Sequence, residues 1–434
     1  MFKNFINAFK VKEIRNKILL TILLVLIYRL GCWIPVPGVD ASAFANQVSG
    51  DEGFLGLLSS VSGGALANGS LLALGIAPYI SASIIIQLLT IAVPSLERLS
   101  KMGDEGRKKI AGYTKIAALV LAIAQAVAIV ISFEGVLKES TLGDGFILPT
   151  WFVGIVVTLV LIAGSMFTYW LGEKITELGI SNGQSILIFV GILSTAGTSL
   201  LTNFTNIFNG DMGSLTELLL FVLALILIFG FIVWIDGSER KVPVQYAKQI
   251  KGRKMYGGQS TFIPIRVNAT GVMPIIFAMS LLSFPQLILS IFVDTTTNKF
   301  YLWYSKWLGA GSWVYIILVG LLITFFAYFW TQVTFNPDDV SKNIQQNGGF
   351  IPGIRPGKPT SDYLKKISNR VTLFGALFLS VIAIIPSLIF KSIGGSLVSA
   401  FSATGLLIVV SVAIEFDKSL EAQMLMKSYK GFLK

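Results

Sequence analysis

Ten apolar stretches, each of about the 20 residues a helix needs to cross a bilayer, recur along this chain and leave little room for a fold not built on them. They run from Ile18 to Ile34, Leu72 to Val93, Ile116 to Phe133, Trp151 to Leu171 and Gln184 to Leu200. The others run from Leu218 to Ile235, Gly271 to Val293, Trp313 to Val333, Val371 to Phe390 and Ser396 to Ile414. The 434 residues are 54% hydrophobic and only 13% charged, against about 25% charged in an ordinary soluble domain. The expected fold class is an all-α integral membrane protein of about ten transmembrane helices, read as one membrane domain.

Lysine and arginine are spread unevenly over the connections. Of the 34, about 29 fall on the side of the N-terminus, about four on the other side and one in the first span, and loops rich in them stay in the cytoplasm. Both termini are therefore expected to be cytoplasmic, and the net charge of +11 is a property of that side. Met1 to Lys17 is basic but leads into a run that carries Arg29 and lacks a small-residue cleavage site, so it is read as preceding a retained span. The basic cluster Arg98 to Lys115 needs no explanation beyond anionic headgroups.

Two inner connections, 237–268 and 334–370, are longer than an inserted topology requires. In the first, Val242-Pro243-Val244-Gln245-Tyr246-Ala247 alternates apolar and polar, Lys251-Gly252-Arg253-Lys254 follows, and Phe262-Ile263-Pro264-Ile265 is extended. That pattern predicts a β-hairpin-like projection with a basic tip. In the second, Pro337, Gly348-Gly349, Pro352-Gly353 and Pro356-Gly357 predict stiff turns, with Arg355 at their centre.

Several function classes lack their residues. One cysteine, Cys32, and no histidine leave redox and metal chemistry poorly supplied. No Walker-type loop, nucleophile elbow or carboxylate pair is present, so the chain reads as no enzyme and as needing no cofactor. Ion-coupled carriers need ionisable groups at depth, yet the span centres hold no Asp, Glu or Lys. Arg29 is the one clear charge well inside a span, close enough to an end to snorkel.

Departures from plain apolar helix are where a function would lie. Phe54 to Ser70 is too short and too rich in glycine to cross a bilayer, yet Leu55, Leu57, Leu58 and Val61 make it apolar. It reads either as a half-inserted element lying against protein or as an outer loop with a surface helix. The next span carries Ser81, Ser83 and Gln87, the third Gln125, and the seventh and its approach Asn268, Thr270, Pro274, Ser280, Ser283 and Pro285. Small and hydroxyl residues commonly serve helix packing; a polar seam that opens to lipid would use the same mild polarity.

The run Ser70-Leu71-Leu72-Ala73-Leu74-Gly75-Ile76-Ala77-Pro78-Tyr79-Ile80-Ser81-Ala82-Ser83, continuing to Leu89, closely resembles the second-span signature of the SecY family of protein-conducting channels. Trp170 to Gly183, Trp33-Ile34-Pro35-Val36-Pro37-Gly38, Ser62-Gly63-Gly64-Ala65-Leu66, Val267-Asn268 with Gly271, Phe335-Asn336-Pro337 and Phe350 to Gly357 are also similar, so the likeness covers essentially the whole chain. The resemblance implies two inverted pseudo-symmetric halves of five spans, 1–200 and 201–434, around a central hourglass pore. It implies an apolar pore ring at Ile76, Ile80, Gln184, Ile188, Ile276 and Ile408, where Gln184 departs from the family's aliphatic residue. Segment 55–70 would be a plug, with Leu55, Leu57, Leu58, Val61, Gly63 and Gly64. A lateral gate would pass between spans two and three and spans seven and eight, near Ser81, Ser83, Gln87, Gln125, Asn268 and Thr270.

The resemblance further implies a bacterial cytoplasmic membrane, the small subunits SecE and SecG, the SecA motor ATPase, ribosomes, unfolded preproteins with their signal sequences, and anionic lipids as partners. Arg253, Lys254 and Arg355 would dock SecA or the ribosome. The competing readings are a secondary transporter for a small solute, which shares broken helices and inverted halves, and an insertase without a through-pore.

Overall fold

The computed structural model describes residues 8–37, 39, 59, 62–132, 140–142, 146–209, 212–246, 249–251, 254–256, 260–268, 271, 273–292, 299–308, 312–393 and 403–432. Thirteen helices dominate the described chain. In order they are α1 (Lys12–Gly31), α2 (Ala77–Ala92), α3 (Pro94–Lys101), α4 (Asp104–Ser132), α5 (Thr150–Leu178), α6 (Gly183–Phe208) and α7 (Met212–Asp236), then α8 (Met273–Phe292), α9 (Lys299–Leu308), α10 (Trp313–Thr334), α11 (Pro337–Gln346), α12 (Lys358–Ile393) and α13 (Ala403–Phe432). Each of the ten apolar stretches overlaps one of these helices.

By length and apolarity, α4, α5, α6, α7, α10 and α12 each suffice to cross a bilayer, and α2 with α3 makes a seventh candidate bent by 100°. The bend falls at Val93, because Pro94 has no N–H to continue the ladder and forces its predecessor out of helical geometry. Of the other three stretches, two share their helices with polar residues, α1 opening on Lys12, Glu13, Arg15 and Lys17 and α13 turning polar beyond Ile414, and the third lies on the apolar α8. The second span begins later than its hydropathy predicts. Residues 62–76 form successive turns rather than helix, with Gly63, Gly64, Gly69 and Gly75 all at positive φ, and α2 starts only at Ala77 with Pro78 in its first turn.

Asn182 caps α6, its side-chain oxygen accepting from the N–H groups of Gln184 at 3.1 Å and Ser185 at 3.5 Å. The side chain of Ser312 caps α10 in the same manner. Much of the apolar surface of the bundle is exposed, as on α7, where Leu219, Leu223, Ile226 and Leu227 all face outward. In a bilayer such a face is covered by acyl chains. The interior is one large apolar cluster to which α6, α8, α10, α12 and α13 all contribute, and a second holds the 65–74 turns against α4 and α5.

The two long inner connections fold together. β3 (Glu239–Tyr246) pairs antiparallel with β6 (Ser260–Arg266), in register from Glu239 opposite Arg266 to Gln245 opposite Ser260. β4 (Gln249–Lys251) and β5 (Lys254–Tyr256) continue the hairpin, with Lys251 opposite Lys254, as the alternation and basic tip predict. β7 (Gly349–Phe350) comes from the second connection and adds to the other edge of β3. Val242, Val244 and Ile265 from the hairpin share a core with Ile344, Ile351 and Leu364. What the sequence presents as a hairpin projection and a separate set of stiff turns is a single knob. β1 (Ser140–Leu142) and β2 (Phe146–Leu148) make a short separate hairpin.

Candidate functional site

A cavity of about 650 Å³ opens in the bundle where α2, α6, α8 and α13 approach one another. α2, α6 and α8 each supply an isoleucine to its lining, and α13 supplies Ser411, Glu415, Lys418 and Ser419. Ile76 and Ile80 lie one turn apart at the start of α2, and Gln184 and Ile188 lie one turn apart at the start of α6. Ile276 comes from the first turn of α8 and Ile408 from α13. Ile76, Ile188 and Ile408 are 4%, 5% and 6% exposed, and Ile80 and Ile276 pack against the same cluster half-buried. Five isoleucines, one from the turn just before α2 and four from α2, α6, α8 and α13, thus belong to one apolar cluster, and three of them, Ile80, Ile188 and Ile276, also line the cavity.

Gln184 lines the cavity beside them. It lies near Ile76 across Gly172 of α5: a Cβ at Gly172 would sit 3.4 Å from the Gln184 Cγ and 3.5 Å from the Ile76 Cδ1. The glycine gives the two side chains room to meet, so the polar exception keeps company with the isoleucines.

A charged lining adjoins the apolar one. Asp236 at the end of α7 accepts a hydrogen bond from the Asn268 amide, Nδ2 to Oδ1 at 2.9 Å, and the Lys418 ammonium of α13 stands 3.5 Å from its other oxygen. A buried carboxylate needs both a countercharge and hydrogen bonds, and here Lys418 supplies the first and Asn268 donates the second. Arg266 and Glu415 line the same region. Sequence reading passed over Asp236 and Lys418 because they are 182 residues apart. An acid placed directly after an apolar stretch is the only signal that marks Asp236.

Of the polar residues marked along the spans, Ser83, Gln87 and Asn268 come together on the cavity wall. Gln87 Nε2 donates to Ser83 Oγ at 3.1 Å, while Gln87 Oε1 and Asn268 Oδ1 are buried without partners among the described residues. Gln125 is buried on α4 with its Oε1 also unpartnered there, and Ser81 is half-buried on α2; neither lines the cavity. Thr270 lies outside the described residues. α8 packs against α2, α4 and α10.

Leu55, Leu57, Leu58 and Val61 lie outside the described residues, whereas Gly63 and Gly64 sit in the turns leading to α2 with φ of 70° and 80°. Arg29 does not snorkel. Its Nη1 donates to the Gly63 carbonyl at 3.1 Å and its Nη2 to the Ser194 hydroxyl of α6, while the neighbouring Tyr28 hydroxyl donates to the Ser62 carbonyl at 3.4 Å.

On the knob, Arg355 is exposed on the turn between β7 and α12, its carbonyl accepting from the Thr360 hydroxyl at 2.8 Å. Lys254 begins β5, and Arg253 lies outside the described residues. Among the described residues no three Asp, Glu or Cys side chains gather as a metal site requires.

The sequence profile of the SecY family matches residues 70–416. A protein translocase subunit SecY from Streptomyces coelicolor is 40% identical over 445 residues, covering 100% of both chains. The fold is that of solved protein-conducting channels. It matches a SecY structure whose plug domain is described as stabilising the closed state and maintaining a membrane seal, with TM-score 0.67 and 21% identity over 93% of this chain and 91% of that one. It also matches the channel of a canine ribosome-channel complex from the endoplasmic reticulum, with TM-score 0.60 and 19% identity over 93% and 91%.

Proposed function

The chain belongs to the SecY family, and from that premise we propose that it is the central pore-forming subunit of a Sec translocon in the bacterial cytoplasmic membrane. It passes unfolded secretory proteins across the membrane and releases signal sequences and membrane segments to lipid through a lateral gate. It is a channel and not an enzyme. Ten spans in two inverted halves, 1–200 and 201–434, with both termini cytoplasmic, are the topology this reading adopts.

The observation that carries the reading is the convergence of Ile76, Ile80, Ile188, Ile276 and Ile408 beside a cavity with a charged lining. An apolar constriction excludes water and ions by dewetting, while aliphatic side chains can part around a polypeptide. We assign these five, with Gln184, to the pore ring, and segment 55–70 to the plug. Ser83, Gln87 and Asn268 support a gate between α2 with α4 and α8 with α10, because polar groups with unmet hydrogen bonds make a weakly held seam. Ser81, Gln125 and Thr270 are assigned to the same gate. Of the charged groups of the cavity, Asp236, Glu415 and Lys418 follow the ends of apolar stretches at Ile235 and Ile414, and Arg266 precedes the stretch that begins at Gly271. A carrier that couples transport to an ion needs them at mid-span, so the transporter reading is the weaker one.

The partners follow from surfaces. An apolar groove of about 510 Å³ between α1, α6 and α13, lined by Ile22, Val25, Leu26, Phe189, Val412 and Phe416, suits the membrane helix of SecE. SecG and anionic lipids are assigned on family grounds. The knob, with Lys254 and Arg355, is the docking surface for SecA and for ribosomes, whose phosphates attract basic side chains, and Arg253 is assigned to the same role from the sequence. Depletion of this protein in cells exporting a reporter with a signal sequence is the decisive test. Export falls if the proposal holds; undiminished export rejects it.

A further inference from the structure

Within the channel reading just given, we infer that Arg29 is a positioning residue that latches the approach to the plug, holding the 62–64 turn against α6 so that the closed pathway stays sealed. The guanidinium bridges three pieces of chain. It rises from the last turn of α1, reaches the Gly63 carbonyl at 3.1 Å and, with its other terminal nitrogen, reaches the Ser194 hydroxyl on α6. A forked, always charged donor can hold two acceptors at fixed geometry, and an ammonium cannot do so in the same way.

The backbone at the far side of the latch is shaped for it. Gly63 has φ of 70°, and a Cβ there would fall 2.7 Å from Arg29 Nη1 and 2.8 Å from the Cα of Gly191. Glycine at position 63 therefore lets the turn lie close against α6 at Gly191 beneath the guanidinium. Tyr28 adds a second grip, donating to the Ser62 carbonyl. Adjacent residues of α1 thus hold adjacent carbonyls in the turn that leads toward α2. Hydrogen bonds from a charged donor to a turn that must later move are strong enough to bias a closed state yet can be exchanged one at a time.

The test uses the full-length protein with its companion subunits in planar bilayers and in proteoliposomes. Arg29→Gln is expected to raise substrate-free ion leakage about tenfold, the population shift that follows from losing charged hydrogen bonds. Ser194→Ala, which removes one acceptor only, should give a smaller rise. Combining it with Arg29→Gln should add nothing, since both act through one contact. Arg29→Lys, retaining charge without the fork, should leak at an intermediate level. A role limited to folding would lower protein yield and transport together without opening a leak. If Arg29→Gln is not recovered in the membrane, Ser194→Ala alone decides. Leakage of Ser194→Ala and Arg29→Gln equal to that of the unmodified protein overturns the latch. Failure of the unmodified protein to carry a secretory chain into proteoliposomes overturns the channel reading instead, so the two failures are told apart.

Discussion

Isoleucine side chains and a few charges carry the proposed mechanism. Cutting Ile80 or Ile408 back to glycine opens a hole in the apolar cluster that flexible neighbours cannot fill. Either Ile80→Gly or Ile408→Gly should therefore raise resting ion conductance in planar bilayers, and an unchanged conductance would argue against a ring at these positions. Asp236 tests a different contact. Lys418→Ala strips a buried carboxylate of its countercharge, with an expected loss of about 1 to 3 kcal/mol, because Lys418 is itself partly exposed. Asp236→Asn together with Lys418→Ala should recover most of that loss, read as midpoint temperatures in detergent. Arg29 is the residue whose behaviour the sequence hides: hydropathy shows a charge near a span end, and the acceptors that turn it inward, Gly63 and Ser194, lie 34 and 165 residues away.

Helices were the legible elements, since a bilayer leaves backbone polar groups no partner outside the segment and each apolar stretch has one economical solution. Their ends were less legible. Leu72 to Ile76 are as apolar as α2 itself, and what keeps them out of the helix is Gly75 at positive φ followed by Pro78. The alternation through Val242 and Val244 shows the hairpin, but a two-residue strand such as β7 has no pattern to read, so the union of both inner connections emerged only in three dimensions. That union predicts the outcome of Val244→Asp, which buries an unpaired charge in the shared core. Protease should then cut both 239–266 and 337–357, with helical content and membrane insertion unaltered. Cutting confined to the first segment would mean that the two fold independently.

Taken as a whole, the molecule divides its apolar surface between an interior through which a chain would pass and an exterior that faces lipid. Cysteines at Ile80, Ile276 and Ile408, in a chain with Cys32 replaced, should crosslink to a stalled secretory polypeptide, whereas cysteines at Leu219 and Leu227 on the outer face of α7 should not. Equal labelling of both sets would remove the distinction between pathway and periphery. The sequence cannot make that distinction, because isoleucine facing a polypeptide and isoleucine facing an acyl chain have the same hydropathy. The knob adds a mechanical corollary. Its strands leave α7, return to α8, and tie in the segment from α10 to α12, while α2 and α4, linked through the short α3, pack directly on each other. A load applied to that handle reaches the ends of α7, α8, α10 and α12, from which its strands and turns run, whereas α2 and α4 contribute no strand to it.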